Sequence, residues 1–298
     1  PKQVEGEQEP FSKRIIPILR GYGKAISGKE PNFSRMVFVP MGSGLALASF
    51  EMVQYPSVIV ISMLGISTIL LRSAGCLIKD VWYTEKSPEA LQNTSVDDGD
   101  IPMQTRLGLL FGHLLVSHGI LVCMDVPTMV LGISSLGLVV GYPLVNSYSN
   151  FWTKILFGCS MNYACLAAYL ETTGSMSLPI GCLFAGGVMW SYLCDTVRTY
   201  NSLTSANHWF FRRGKLGLYQ IAGASSAFIC LGASLANVIT LPFSISMITA
   251  SGFLLQQIYM VELHNPNSRN KFYKYSQIYS WLVLCGLTSS AYIAIQEK

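Results

Sequence analysis

Charged residues are scarce in this sequence. Only 12% of its 298 residues are Asp, Glu, Lys or Arg, whereas 51% are hydrophobic and the mean hydropathy is +0.41. A soluble domain carries about 25% charged residues, and a soluble chain of this length would need charge to cover roughly two domains. The shortage of charge excludes a soluble protein, and the apolar content excludes a disordered, fibrous or small disulfide-rich one. The class that remains is a polytopic membrane protein.

Signatures of several other functions are also missing. The net charge is only +4, and no patch combines basic and aromatic residues as a nucleic-acid surface requires, so we expect no nucleic-acid partner. No two of the eight cysteines form a C-x-x-C pair, and we predict that they are buried free thiols. No G-x-S-x-G, H-E-x-x-H, Walker or Rossmann motif occurs. His113 and His118 are five residues apart and do not share a helical face, which argues against a metal site.

Nine apolar runs have the length of a membrane-spanning helix, about 17 to 25 residues. We therefore predict an all-α, polytopic membrane protein with a bundle of nine transmembrane helices. Small residues, for example Gly137 and Gly141, are predicted to let neighbouring helices approach closely. The nine runs cover approximately residues 36–53, 57–78, 107–124, 127–145, 154–171, 177–195, 216–236, 240–261 and 276–296.

The basic residues are distributed unequally between the two sides of these spans. The N-terminal segment and the even-numbered connections hold most of the 20 Lys and Arg residues. The odd-numbered connections, near residues 54–56, 125–126, 172–176 and 237–239, hold none. The positive-inside rule then places the N-terminus on the cytosolic or matrix side. Nine spans place the C-terminus, with Lys298, on the opposite side.

The chain is predicted to divide into two parts. Residues 1–35 form a polar N-terminal extension, and residues 36–298 form the nine-helix domain. Within the extension, residues 11–26 could form an amphipathic helix suited to a membrane surface or to a partner protein. A partly ordered surface tail is the alternative.

The end of the second span carries a specific motif. It reads Arg72-Ser73-Ala74-Gly75-Cys76-Leu77-Ile78-Lys79-Asp80. This run resembles the R-S-A-G-C-x-I-N-D segment of the UbiA-type polyprenyltransferases, especially the 4-hydroxybenzoate polyprenyltransferases of ubiquinone biosynthesis. Weaker similarities to the same family follow at Gly141–Leu144, Asn162–Ala164 and Asp195–Val197. The resemblance covers most of the chain and implies the nine-helix fold of that family.

The resemblance also implies a site for an isoprenyl diphosphate. In this family two aspartate-rich loops hold Mg²⁺ against the diphosphate, and basic side chains share its remaining charge. An electron-rich aromatic ring then attacks the allylic cation. The candidate site residues that the resemblance implies in this chain are Arg72, Lys79, Asp80, Tyr83, Asp195 and Arg198.

Most aspartates of the family pattern are replaced in this chain. Lys79 stands where the family has Asn, and Tyr83 and Ser87 stand at its second and third Asp. Only Asp195 remains of the second motif. Lys79 also lies beside Asp80, where its ammonium would compete with a divalent cation for the carboxylate. We therefore predict a vestigial diphosphate site with no catalytic residue, no metal and no required cofactor.

These replacements favour a catalytically inactive, prenyltransferase-like protein. We expect an accessory structural subunit of a respiratory-chain complex in the mitochondrial inner membrane, with its N-terminus on the matrix side. Its expected partners are membrane lipids and other subunits, and its apolar cavity could hold a phospholipid or a quinone. Two alternatives stay open: an active 4-hydroxybenzoate polyprenyltransferase with a divergent Mg²⁺–diphosphate site, and a lipid or quinone carrier without chemistry.

Overall fold

The structure, a computed structural model, describes residues 33–86, 103–145, 150–198, 200 and 214–298. Nine α-helices and no strand make up these described residues, which confirms the all-α prediction. The predicted amphipathic segment at 11–26 lies outside the described residues. In chain order the helices are α1 Phe33–Met52, α2 Val58–Lys86, α3 Met103–Val122, α4 Val126–Val145, α5 Asn150–Thr173, α6 Leu178–Arg198, α7 Lys215–Leu235, α8 Leu241–Met260 and α9 Pro266–Gln296.

Six of these helices are long and apolar enough to cross a membrane, judged over the described residues. They are α2, α3, α6, α7, α8 and α9. The other three predicted spans are helices as well. Over the described residues α1 and α5 do not reach the same length and hydropathy, and the part of α4 that could be measured, Val126–Leu138, is shorter than a full span. Helices α1 and α5 lie inside the bundle, so neighbouring helices rather than lipid surround much of their surface. The crossing of the membrane by all nine helices therefore stays a prediction.

Local sequence explains where several helices begin and end. Thr240 caps α8 by accepting a hydrogen bond from the amide of the third following residue, and Pro242 stands in the first turn. Asn265 caps α9, which begins at Pro266, ten residues before the predicted start. These are standard start signals, because a polar side chain satisfies free amides and proline fits the first turn. The first residues of α9 are polar, so a search for apolar runs did not find this early start.

Helix α5 lies at the centre of the bundle. It packs against α1, α4 and α6, and α1 in turn packs against α9. Close antiparallel pairs form between α6 and α7, between α8 and α9, and between α2 and α3. The larger apolar core joins α1 and α5 to α6, α7, α8 and α9, and a smaller one joins α1 and α5 to α2 and α3. Helix α5 therefore contacts both halves of the molecule.

Glycines allow the closest helix crossings. A Cβ on Gly44 of α1 would lie 2.1 Å from the carbonyl oxygen of Cys165 on α5, so a larger residue does not fit there. Gly186 of α6 meets α7 in a similar way. The sequence examples were wrong, because a Cβ at Gly137 or Gly141 would meet no described atom within 4 Å. Glycine spacing alone does not reveal which helical face meets a neighbour.

The cysteines are all within the described residues, and none of them forms a disulfide there. Cys165, Cys182 and Cys194 are buried, and Cys76 and Cys159 are partly buried. The prediction of burial was wrong for the other three thiols, which are exposed: Cys123 in the turn after α3, Cys230 on α7 and Cys285 on α9. The outward helical faces also expose large apolar side chains, with Leu115 77% exposed and Ile248 75% exposed. An apolar outer surface is what lipid contact requires.

The two ends of the bundle differ in charge. At one end of the bundle α3, α5, α7 and α9 begin and α2, α6 and α8 finish. We call it the basic end, because it carries Arg72, Arg106, Lys154, Arg198, Lys215 and Arg269. The opposite end carries Glu51, which accepts a hydrogen bond from the hydroxyl of Tyr169. It also carries Glu171, which accepts one from the backbone amide of Asp125 at 3.2 Å. The charge difference agrees with the predicted topology, and the side of the membrane that each end faces stays a prediction.

Candidate functional site

Three helices bring charged side chains together at the basic end. Arg72 lies in α2, and its guanidinium carbon is 5.7 Å from the ring centre of Phe157 on α5. Lys154 precedes Phe157 by three residues, so the two side chains are neighbours along one face of α5. Asp195 lies in the last turn of α6 and is half-buried. The bundle thus places Arg72, Lys154 and Asp195 around one end of α5.

Lys154 is the residue that the sequence reasoning missed. Its side chain is only 8% exposed, and its Nζ donates a hydrogen bond to Thr196 Oγ1 at 3.3 Å. It also interacts electrostatically with Asp195, the residue next to Thr196. The available signal was a lone lysine in the otherwise uncharged start of the fifth apolar run. A buried cation held by polar partners is a functional candidate, because placing a charge inside a membrane bundle is costly.

Arg198 extends the site toward α9. It is exposed at the end of α6, and its guanidinium carbon lies 5.2 Å from the ring centre of Tyr273. A planar guanidinium stacked on an aromatic ring keeps its N–H groups available for a second partner. Arg198 therefore lies where it could take part in holding an anion at the basic end.

For the remaining predicted residues, the structure describes only the position of the backbone. Lys79, Asp80 and Tyr83 all lie in the last two turns of α2, and their side chains lie outside the described residues. Their common position on the helix that carries Arg72 puts their backbone at the basic end. The prediction that they belong to the site stays a prediction.

Hydrogen bonds fix the end of α6. Arg269 Nη1 donates to the carbonyl oxygen of Tyr200 at 2.5 Å and to that of Leu263 at 3.0 Å. The ring of Tyr200 also meets the ring of His264 edge-to-face, with 5.5 Å between centres. These contacts join the chain just after α6 to the connection between α8 and α9. They restrict the motion of the turn that carries Asp195 and Arg198.

An internal cavity lies deeper in the bundle than this charged cluster. It has a volume of about 40 Å³ and is enclosed by α1, α5, α6, α7 and α9. Most of its lining is apolar, and polar atoms come from Asn162, Trp190, Tyr279 and two serines. Trp190 precedes Asp195 by five residues, which is about 7.5 Å along the axis of α6, and the two residues do not share a helical face. A cavity of this size has room for a few water molecules.

A magnesium ion is compatible with the carboxylate that the structure places here. The described residues contain no group of three or more His, Cys, Asp or Glu side chains able to hold a metal by themselves. Mg²⁺, however, is usually bound by one or two carboxylates together with substrate phosphates and waters. Asp195 can supply one such carboxylate at the basic end. The expectation that no metal or cofactor is needed is therefore not confirmed.

The chain is similar to proteins of one named activity. The human mitochondrial 4-hydroxybenzoate polyprenyltransferase is 29% identical over 268 residues, which cover 85% of this chain and 71% of the human protein. The Drosophila melanogaster protein of the same name is 24% identical, over 88% of this chain and 68% of its own length. No protein-family model matches the chain.

Solved structures show the same fold at low sequence identity. A structure described for digeranylgeranylglyceryl phosphate synthase is 12% identical and has a TM-score of 0.66, covering 92% of this chain and 98% of that one. A UbiA homologue from Aeropyrum pernix K1 is 12% identical, with a TM-score of 0.64 over 85% of this chain and 97% of that one. Both likenesses show that the architecture is that of the UbiA prenyltransferases.

These comparisons correct the functional prediction. The expectation of a catalytically inactive accessory subunit of a respiratory complex was wrong, because the curated relatives are named as enzymes. Within the described residues, nothing indicates inactivity or a subunit role. The error came from counting carboxylates in two linear motifs, a count that ignored cations such as Lys154 which the fold adds from another helix.

The motif from Arg72 to Asp80 thus carried a true relationship: this chain is a relative of the UbiA-type polyprenyltransferases, over most of its length and in its fold.

Proposed function

We propose that this chain is a polyprenyltransferase that moves a polyprenyl group from its diphosphate to 4-hydroxybenzoate. The observation that carries the proposal is the match of 85% and 88% of the chain to two relatives that bear this name. The charged cluster at the basic end supports it, because the cluster offers cations and a carboxylate to a diphosphate.

The cations bind the diphosphate of the donor. Lys154 and Arg198 offer N–H donors on either side of Asp195, and Arg72 adds a third cation from α2. A diphosphate leaving group carries several negative charges, so these side chains stabilise it more as the charge grows during bond breaking. Thr196, already a partner of Lys154, holds the ammonium in place before substrate arrives.

The reaction replaces a carbon–oxygen bond by a carbon–carbon bond. The bond between the first carbon of the polyprenyl chain and the diphosphate oxygen breaks, and its electron pair leaves with the diphosphate. A ring carbon of 4-hydroxybenzoate donates its π electrons to the resulting allylic cation, and the ring then loses a proton.

Asp195 is the described residue that would hold Mg²⁺. When bound, Mg²⁺ would neutralise part of the diphosphate charge and so favour its departure. Lys154 supplies a second positive charge at the same end, which offsets the loss of the family's further aspartates.

The location that we propose in the cell is also inferred from the relatives. Both relatives are named as mitochondrial, and we place this chain in the mitochondrial inner membrane with the basic end toward the matrix. Assembly with other protein subunits stays a prediction.

A direct assay tests the proposed activity. Purified protein in lipid nanodiscs is incubated with 4-hydroxybenzoate, a polyprenyl diphosphate and Mg²⁺, and the prenylated product is measured by mass spectrometry. We expect turnover in the wild type and a loss on the order of 100-fold in D195N, because the variant removes a carboxylate from the charged site. E297Q, which neutralises an exposed carboxylate at the far end of α9, is the matched control.

Two results would contradict the proposal. One is no product from folded wild-type protein with any of several donor chain lengths. The other is equal activity in wild type and D195N, which would mean that the charged cluster takes no part in the reaction.

A further inference from the structure

One face of α9 runs along the end of α6. Arg269, Tyr273 and Ser276 stand at positions i, i+4 and i+7 of α9, so they share a face of that helix. Each of the three contacts a different residue of α6 or of the chain just after it, in antiparallel order. The three contacts, which we call the α6–α9 seam, are Arg269 with Tyr200, Tyr273 with Arg198, and Ser276 with Cys194.

The α6–α9 seam brackets Asp195. Cys194 directly precedes Asp195, and its Sγ lies 3.3 Å from Ser276 Oγ. Arg198 follows Asp195 by three residues, and its guanidinium carbon lies 5.2 Å from the ring centre of Tyr273. Two charged side chains of the proposed diphosphate site therefore belong to the stretch of α6 that α9 holds.

Arg269 forms the outer end of the seam. Its Nη1 donates to Tyr200 O at 2.5 Å and to Leu263 O at 3.0 Å, and so joins the chain after α6 to the turn before α9. A helix C-terminus carries the negative end of the helix dipole, and a cation close to it is stabilising. The guanidinium of Arg269 supplies such a charge beside the end of α6.

The last turn of α6 depends on the contacts that α9 provides. Helix α6 packs far more extensively against α7 and α5 than against α9. Helix ends fray where tertiary contacts are few, so the packing of the helix body leaves its last turn less restrained. Hydrogen bonds from a charged donor are about twice as strong as neutral ones, which makes the two bonds from Arg269 an effective restraint.

We propose that Arg269 is a positioning residue for the diphosphate site, because it fixes the last turn of α6 and thereby the positions of Asp195 and Arg198. The inference rests on the proposed function, since it concerns the site that the donor's diphosphate would occupy. Arg269 acts through the backbone of α6 and not on the substrate itself. A displacement of about 1 Å in a group that binds the reacting substrate is enough to cost much of its effect.

Binding of inorganic diphosphate tests this role separately from turnover. Its affinity, with Mg²⁺ present, is measured calorimetrically for the protein in nanodiscs, without polyprenyl donor or aromatic acceptor. We expect R269Q to weaken binding about 3- to 10-fold, because the end of α6 loses its charge-assisted bonds. K271Q, which also removes one positive charge from α9 but at an exposed residue, should leave the affinity unchanged.

Hydrogen exchange measures the restraint itself. Exchange of the backbone amides in the peptide that covers residues 194–200 is followed by mass spectrometry. We expect faster exchange in R269Q than in wild type, since the last turn of α6 opens more often without the two bonds. K271Q should exchange at the wild-type rate.

A double variant separates an indirect role from a direct contact with diphosphate. If Arg269 acts by holding Arg198 and Asp195, its replacement has less to disturb once Arg198 is gone. The factor by which R269Q weakens binding should therefore be smaller in the R198Q background than in wild type. An equal factor in both backgrounds would overturn the positioning role.

Other results would also overturn the assignment. They are wild-type protein that binds no diphosphate, unchanged affinity or unchanged exchange in R269Q, and equal losses in R269Q and K271Q. If R269Q fails to fold, R269K replaces it, because lysine has a shorter side chain that lacks the planar fork of arginine. We then expect weaker binding and faster exchange than in wild type, and values identical to wild type would refute the role.

The two proposals can fail independently. A protein that makes prenylated product but binds diphosphate equally well as wild type and as R269Q would refute the role of Arg269 alone. Weaker binding in R269Q without any turnover in wild type would support the role of Arg269 and refute the proposed reaction.

Discussion

A lysine ammonium buried among apolar helices is stable only where polar partners surround it. Lys154 meets this condition through the hydroxyl of Thr196 at 3.3 Å and the charge of Asp195. The cation and the carboxylate come from different helices, so their pairing also holds α5 against α6. An incoming diphosphate would find the cation already dehydrated and fixed, and the interaction would be stronger than at an exposed lysine.

Replacing Lys154 by glutamine tests this role. K154Q should raise the KM for the polyprenyl diphosphate about 10-fold or more, since a charge-assisted hydrogen bond to the substrate is lost. The KM for 4-hydroxybenzoate should change less. Steady-state kinetics in nanodiscs measure both values.

A second lysine provides the control. Lys215 also lies at the basic end, but its Nζ donates to the carbonyl oxygen of Tyr259 at the end of α8. K215Q should leave both KM values unchanged. Equal effects of the two variants would mean that Lys154 acts only through the general charge of this end.

At the scale of the elements, the crossing of α1 and α5 leaves the least space for a side chain. Gly44 lies so close to Cys165 that the two backbones are in contact, and α5 in turn holds Lys154 and Asn162. Helices in lipid gain stability from such close packing of small residues, because lipid supplies no hydrophobic force between them. The position of α1 therefore sets one wall of the cavity.

A methyl group at this crossing should separate the two helices. G44A places a Cβ 2.1 Å from the carbonyl oxygen of Cys165, and we expect it to lower stability by about 1–3 kcal/mol or more. Thermal unfolding in detergent, followed by circular dichroism, measures the effect. G223A is the control, because a Cβ at Gly223 meets no described atom within 4 Å. If the two variants melt at the same temperature, the α1–α5 contact is looser than the structure has it.

At the scale of the whole molecule, charge is separated along the bundle axis. The basic end carries the cations of the site, and the opposite end carries Glu51, Asp125 and Glu171. An anionic substrate is attracted to the first end and repelled from the second. The polyprenyl diphosphate would therefore enter from the side of the membrane that the basic end faces.

The positions of the two termini test this topology. Nine crossings place the termini on opposite sides, whereas the six helices that clearly meet the length and hydropathy measure would place them on the same side. In mitochondria with the outer membrane removed, we expect protease to spare an N-terminal tag and to cleave a C-terminal one. Protection or cleavage of both tags would contradict nine crossings.

Part of the site could be read from the sequence. Arg72, Asp195 and Arg198 were found because they stand in short motifs, and the structure places all three at one end of the bundle. Lys154 stands in no motif. Its importance depends on its burial and on its partners, and both arise only when helices distant in sequence meet.

The sequence by itself determined the nine helices seen among the described residues, and their approximate limits apart from the early start of α9, because helix formation in an apolar run depends on neighbouring residues and on length. It also determined the separation of charge between the two ends, since this follows from the order of the connections. Only the tertiary structure decided that Lys154 bonds to Thr196 beside Asp195, that Gly44 rather than Gly137 marks a close crossing, and that Trp190 lines a cavity. Each of these depends on which faces of two helices meet, and that choice is made by packing across the whole bundle.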